Sequence, residues 1–142
     1  MFSKTNIIAT LVNAIWAFAG GYLLWGIIAD PYLASQTKTS GIMREAPDFI
    51  WLAIGCLIMA FAFSTMYSKW ARGAHSSTQG IQFGAWLGLL IGGGSGIIDY
   101  ATANILGLKG TAVNAVVYIV FFAVMGWLAS LIYSKVKTAE AS

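Results

Sequence analysis

Charge is what this sequence has least of. Charged residues make up 9% of the 142 positions and hydrophobic residues 58%, with a mean hydropathy of +0.76. A soluble domain carries roughly 25% charge, so too few polar side chains are present to clothe a soluble fold of this length. Cysteine is nearly absent too. With Cys56 alone, an internal disulfide, a dithiol redox pair and a thiolate metal cage are excluded. Its position inside an apolar run reads as a small packing residue. The single histidine, His75, leaves no pair of axial haem ligands, no zinc spacing and no convincing Ser/His/Asp set. No cofactor, metal or catalytic residue is therefore expected, and the sequence reads as non-enzymatic. The net charge of +3 comes without a basic run, so nucleic acid is not an expected partner.

What the chain has instead is long uncharged stretches. Between Lys4 and Asp30 lie 25 such residues, between Asp48 and Lys69 20, between Arg72 and Asp99 26, and between Lys109 and Lys135 25. A helix rises about 1.5 Å per residue, so roughly 20 apolar residues match the hydrocarbon core of a bilayer. Strand-length alternating segments for a barrel are absent. The expected fold is all-α: a single domain over residues 1–142, an integral membrane four-helix up-down bundle. Its helices are placed at about 5–29, 48–69, 78–103 and 110–135. Lys4, the apolar run after it and Ala17-Phe18-Ala19 have the outline of a signal peptide. Hydrophobicity continues through Tyr22-Leu23-Leu24-Trp25 and beyond, so the segment is read as an uncleaved first span.

Only two prolines occur, Pro31 and Pro47, and they close the longest loop, where helix ends are favoured over interiors. Lys4, Lys69, Arg72, Lys135 and Lys137 fall on the side of the termini, against Lys38, Arg44 and Lys109 on the other. The bias of positive residues to the inner side places both termini in the cytoplasm. Tyr and Trp cluster towards the predicted helix ends, as interfacial belts do.

Glycine is concentrated in the third span, at Gly80, Gly84, Gly88, Gly92 and Gly96. Each costs a helix in water about 1 kcal/mol relative to alanine. In lipid, small residues let helix backbones approach closely. The first span carries a matching strip, Ala9, Asn13, Ala17 and Gly21. The expectation is that the two strips pack on each other or on symmetry mates. Asp99 is the one acid in or near a span, at its outer end, and Asn104, Asn114, Arg44 and Asp48 are expected at the same level. Arg44 is the natural bidentate partner for Asp99, and Asp48 after Pro47 is also a helix-start signal. This polar cluster is the candidate ligand or ion contact.

The first span ending Gly21-Tyr22-Leu23-Leu24-Trp25-Gly26, the loop leading through Gly41-Ile42-Met43-Arg44 to Pro47-Asp48, and the glycine-rich third span together carry a family likeness. Over nearly its whole length the chain resembles an uncharacterised family of small bacterial four-helix inner-membrane proteins. The resemblance implies a bacterial inner-membrane location and brings no activity or site residues. The leading functional expectation is a non-enzymatic membrane component in contact with the lipid bilayer. It would be a homo-oligomer or an accessory subunit of a larger membrane complex, packing through its glycine strips. The alternative is a small oligomeric transporter or channel using the polar cluster around Asp99 and Arg44.

Overall fold

The structure, a computed structural model, describes residues 2–141 and the side chains of residues 2–136. Lys137, counted above among the basic residues, has its side chain outside that range. The described chain is helical, and four of its helices are long and apolar enough to cross a membrane: Lys4–Ile28, Phe49–Ala71, Ser77–Thr102 and Leu108–Val136. All four agree with the uncharged gaps to within a few residues.

The first of these is α1 (Lys4–Gly21), continued by a π-helical segment, π1 (Tyr22–Ile28). It starts where Ser3 accepts from the Asn6 amide, the usual way to satisfy an orphan donor of the first turn. A short helix, α2 (Asp30–Gln36), begins at Pro31 within the stretch expected to be loop. Next comes α3 (Phe49–Ala71), capped by the Asp48 carboxylate, which accepts from the amides of Ile50 and Trp51. Asp48 is thus a helix cap. After α3 the chain turns through Arg72 and Gly73 at positive φ, the left-handed geometry that ends many helices. Ser76 caps α4 (Ser77–Gly88), which passes into π2 (Leu89–Ser95) and α5 (Gly96–Thr102). The last helix is α6 (Leu108–Ala141).

Packing separates the two small-residue strips. Those of α1 and α4 do not meet, which overturns the first of the two pairings expected above, because α6 lies between them and α1 packs on α3 and α6. The α4 strip packs on α6, and an added Cβ at each of its glycines shows how closely. At Gly80 it would land on the Gly126 carbonyl, and at Gly84 on that of Phe122. At Gly88 it would lie 2.5 Å from Ile119 Cα, and at Gly92 2.5 Å from Tyr118 Cβ. The contact is reciprocal, since a Cβ at Gly126 would strike the Gly80 carbonyl. Gly96 is looser, with Thr111 Cγ2 at 3.5 Å.

The α1 strip meets α3 instead, where Asn13 bonds Ser64 and Asn6 bonds Thr65. Ala9, Asn13 and Ala17 are buried there. Gly21 plays no such part, having open space where its Cβ would be. The buried glycine of that turn is Gly20, over which the Trp16 ring folds at 2.7 Å from the Cβ position. The apolar interior is aromatic, with Phe63 stacked near Phe122 and edge-on to Phe83.

One consequence is a contrast of sign. Gly84→Ala lowers the melting temperature, because the methyl group has no room against the Phe122 carbonyl. Gly94→Ala leaves it unchanged or raises it, through a helix-propensity gain in stability of about 1 kcal/mol, since that Cβ meets nothing within 4 Å. Thermal unfolding of the two variants in detergent checks this.

Candidate functional site

Polar side chains gather at two ends of the helix set. One end holds Asp99 and the start of α6. The other holds His75, the start of α1 and the end of α3.

At the Asp99 end, a cavity of about 130 Å³ is lined by Gly96, Asp99, Tyr100, Ile105, Leu106, Thr111 and Asn114. Across Ile105 and Leu106 it adjoins a second cavity of about 410 Å³, whose walls include Trp25, Leu33, Ile42, Met43 and Asp30. The two halves are tied together by Trp25, whose Nε1 donates to Asn114 Oδ1 at 2.7 Å. Its ring packs edge-on against Tyr118 and Phe121. Both π-helical segments belong to this end. π1 carries Trp25, and π2 runs directly into Gly96 and Asp99. Such wide turns are uncommon and occur frequently at functional sites.

The long loop is strapped across this end by backbone bonds. Thr37 bridges Leu106, the Lys38 amide donates to the Ile105 carbonyl at 2.9 Å, and the Gly107 amide donates to the Gln36 carbonyl at 2.9 Å. Thr39 Oγ1 donates to the Asn104 carbonyl. That register brings Lys38 to the site, its ammonium 5.3 Å from the Tyr100 ring centroid. Of the expected cluster, Asp99 and Asn114 share a cavity. Asn104 joins through its backbone carbonyl, and Asp48 is engaged at the α3 cap. Arg44 is exposed and lines neither cavity. No lysine or arginine is among the residues lining the smaller cavity. Chemically, this end offers a carboxylate, two hydroxyls and an amide in a small mixed recess beside a larger, more apolar one.

The His75 end was not foreseen as a site. Tyr133 Oη donates to Asn6 Oδ1 at 3.0 Å and to the Ser64 carbonyl at 3.3 Å. Asn6 Nδ2 donates to Thr65 Oγ1 at 2.9 Å, and Asn13 Nδ2 to Ser64 Oγ at 3.3 Å. His75 Nδ1 lies 3.4 Å from Tyr67 Oη, and its ring stacks on Tyr133 at 5.0 Å. The only histidine is therefore partly buried between two tyrosines. The one available signal was the polar spacing Asn6, Thr10 and Asn13 along a single face of the first span. Beyond Asn13 the file of polar contacts reaches Trp16, whose Nε1 donates to the Phe121 carbonyl at 3.0 Å.

No protein-family model matches this chain, and neither the curated proteins nor the solved structures give a match.

The inner network makes its own prediction. Tyr133→Phe removes the donor to both Asn6 and Ser64 while keeping the ring contacts. It should lower stability by about 1–3 kcal/mol, read as an earlier thermal transition.

Proposed function

We propose that this chain is a non-enzymatic, multi-pass protein of the bacterial inner membrane that binds an amphipathic amine in the cleft at its Asp99 end. The fold in this reading is an up-down four-helix bundle with both termini in the cytoplasm. Four apolar helices of spanning length support the membrane placement. The excess of lysine and arginine on the side of the termini supports the orientation, and the family resemblance supports the bacterial setting. Asp99 then sits at the outer interface, where a carboxylate is tolerated and can be reached both from the membrane and from water.

The observation that carries the reading is the paired cavity. A primary ammonium group is small enough for the recess of about 130 Å³, where Asp99 accepts its hydrogen bonds and no cationic side chain is among the lining residues. The apolar body of the ligand then occupies the adjoining space of about 410 Å³ beside Trp25, Leu33, Ile42 and Met43. Binding sites commonly combine an apolar cavity with a few placed polar groups.

The glycine strip favours this reading over assembly through that strip, because its close contacts are made within one copy. A homo-oligomer or a larger membrane complex would use another face. A proton relay through Trp16 is disfavoured as well. Indole Nε1–H is a donor only, so Trp16 does not relay a proton between the two polar ends.

Binding of decylamine, followed by displacement of a fluorescent alkylamine from the purified protein, tests the proposal. Asp99→Asn weakens decylamine binding about tenfold, which is about 1.4 kcal/mol, and leaves decanol binding unchanged. Equal affinity of wild type and Asp99→Asn for the amine, or equal binding of decyl sulfate, contradicts it.

A further inference from the structure

A second feature, independent of the amine site, lies in the seam between α1 and α3. Thr10 is 8% exposed and Asn13 fully buried, yet Thr10 Oγ1 and Asn13 Oδ1 have no hydrogen-bond partner among the protein atoms. An unsatisfied buried polar atom is costly, and two of them one helical turn apart are more so. Both residues sit on the same buried face of α1, in positions i and i+3.

Thr10 also differs from a group of helical hydroxyls that bond their own backbone. Ser68, Thr102, Ser130 and Ser134 each donate back to a carbonyl of their own helix three or four residues earlier, and Thr111 to the Gly107 carbonyl just before its helix. That local bond is the default for a buried helical hydroxyl. Thr10 forgoes it. Its hydroxyl is therefore left available on the same buried face of α1 as an amide oxygen that needs a donor.

We propose that Thr10 Oγ1 and Asn13 Oδ1 form the binding site of one internal water molecule, which donates to the Asn13 oxygen and bonds the Thr10 hydroxyl. The chemistry selects water over the other small guests. A metal cation needs more oxygen ligands than these two, and hard cations prefer six or more. Neither residue is charged, so nothing here offsets the cost of burying a cation. Asn13 Nδ2 already donates to Ser64 Oγ, which fixes which end of the amide faces the guest. Water both donates and accepts, and so meets both orphan atoms at once. The site completes a polar file that starts at His75 and Tyr133 and ends below the Trp16 ring.

The sign of one substitution tests this. Thr10→Val keeps the shape and removes the hydroxyl. If the two atoms are bridged by water, the variant melts at a lower temperature than wild type. If the hydroxyl is buried dry and unbonded, removing it raises the melting temperature, which overturns the proposal. Thr10→Ser, which keeps the hydroxyl, restores the wild-type behaviour of the seam in the first case and supplies the comparison if Thr10→Val does not fold. Water-to-protein magnetisation transfer in NMR of the full chain reads the site directly. A transfer peak at the Asn13 side-chain amide, strong in wild type and in Thr10→Ser, is expected. A dry Asn13 amide, or an Asn13 resonance that shifts on titrating sodium against choline, overturns the assignment to water.

Discussion

The close approach of α4 to α6 is the contact from which the rest of the arrangement follows. Within lipid, apolar side chains gain little by leaving one hydrocarbon environment for another, so association rests on van der Waals contact and on polar pairs. Removing Cβ atoms at Gly80, Gly84 and Gly126 lets each backbone lie against a carbonyl of the other helix. The strip sets α6 firmly on α4, and α6 in turn occupies the place where the first span was expected. Thr111 and Asn114, in the first turns of α6, are thereby brought beside Gly96 and Asp99. The cavity at that end is a consequence of the glycines far from it.

The two polar ends solve opposite problems. At the His75 end, side chains from α1, α3 and α6 mostly answer one another, as buried polar groups must. At the Asp99 end they do not close on themselves. Asn114 is held by Trp25, but the carboxylate shares its recess with no lysine or arginine. The glycine seam loosens towards that end, from Gly92 close against Tyr118 to Gly96, where a Cβ would lie 3.5 Å from Thr111 Cγ2.

Much of the architecture was legible from charge alone. Four uncharged gaps gave the spans, and Pro47-Asp48 marked the start of α3 as a cap signal should. The partner of the glycine strip was not legible. Its complement on α6, Ala115, Ala123, Gly126 and Ser130, is scattered among large residues and lacks the regular spacing that made α4 and α1 conspicuous. Arg44 was the expected partner of Asp99 by chemistry. The loop register, set by backbone bonds at Thr37 and Lys38, leaves Arg44 outside the recess and carries Lys38 to the Tyr100 ring rather than to the carboxylate. The enclosure of His75 was not legible because one of the tyrosines beside it, Tyr133, is remote in sequence. The π segments and the short α2 leave no periodic signature of their own in so uniformly apolar a chain.

The central claim is that the glycine strip is satisfied inside each molecule. Solid-state NMR of the protein in lipid bilayers, with uniformly labelled chains diluted into unlabelled ones, measures this directly. Carbon–carbon cross-peaks linking Gly84 to Ala123 and Gly88 to Ile119 should keep their intensity per labelled chain on dilution. Their loss on dilution would place the strip between copies and contradict the account.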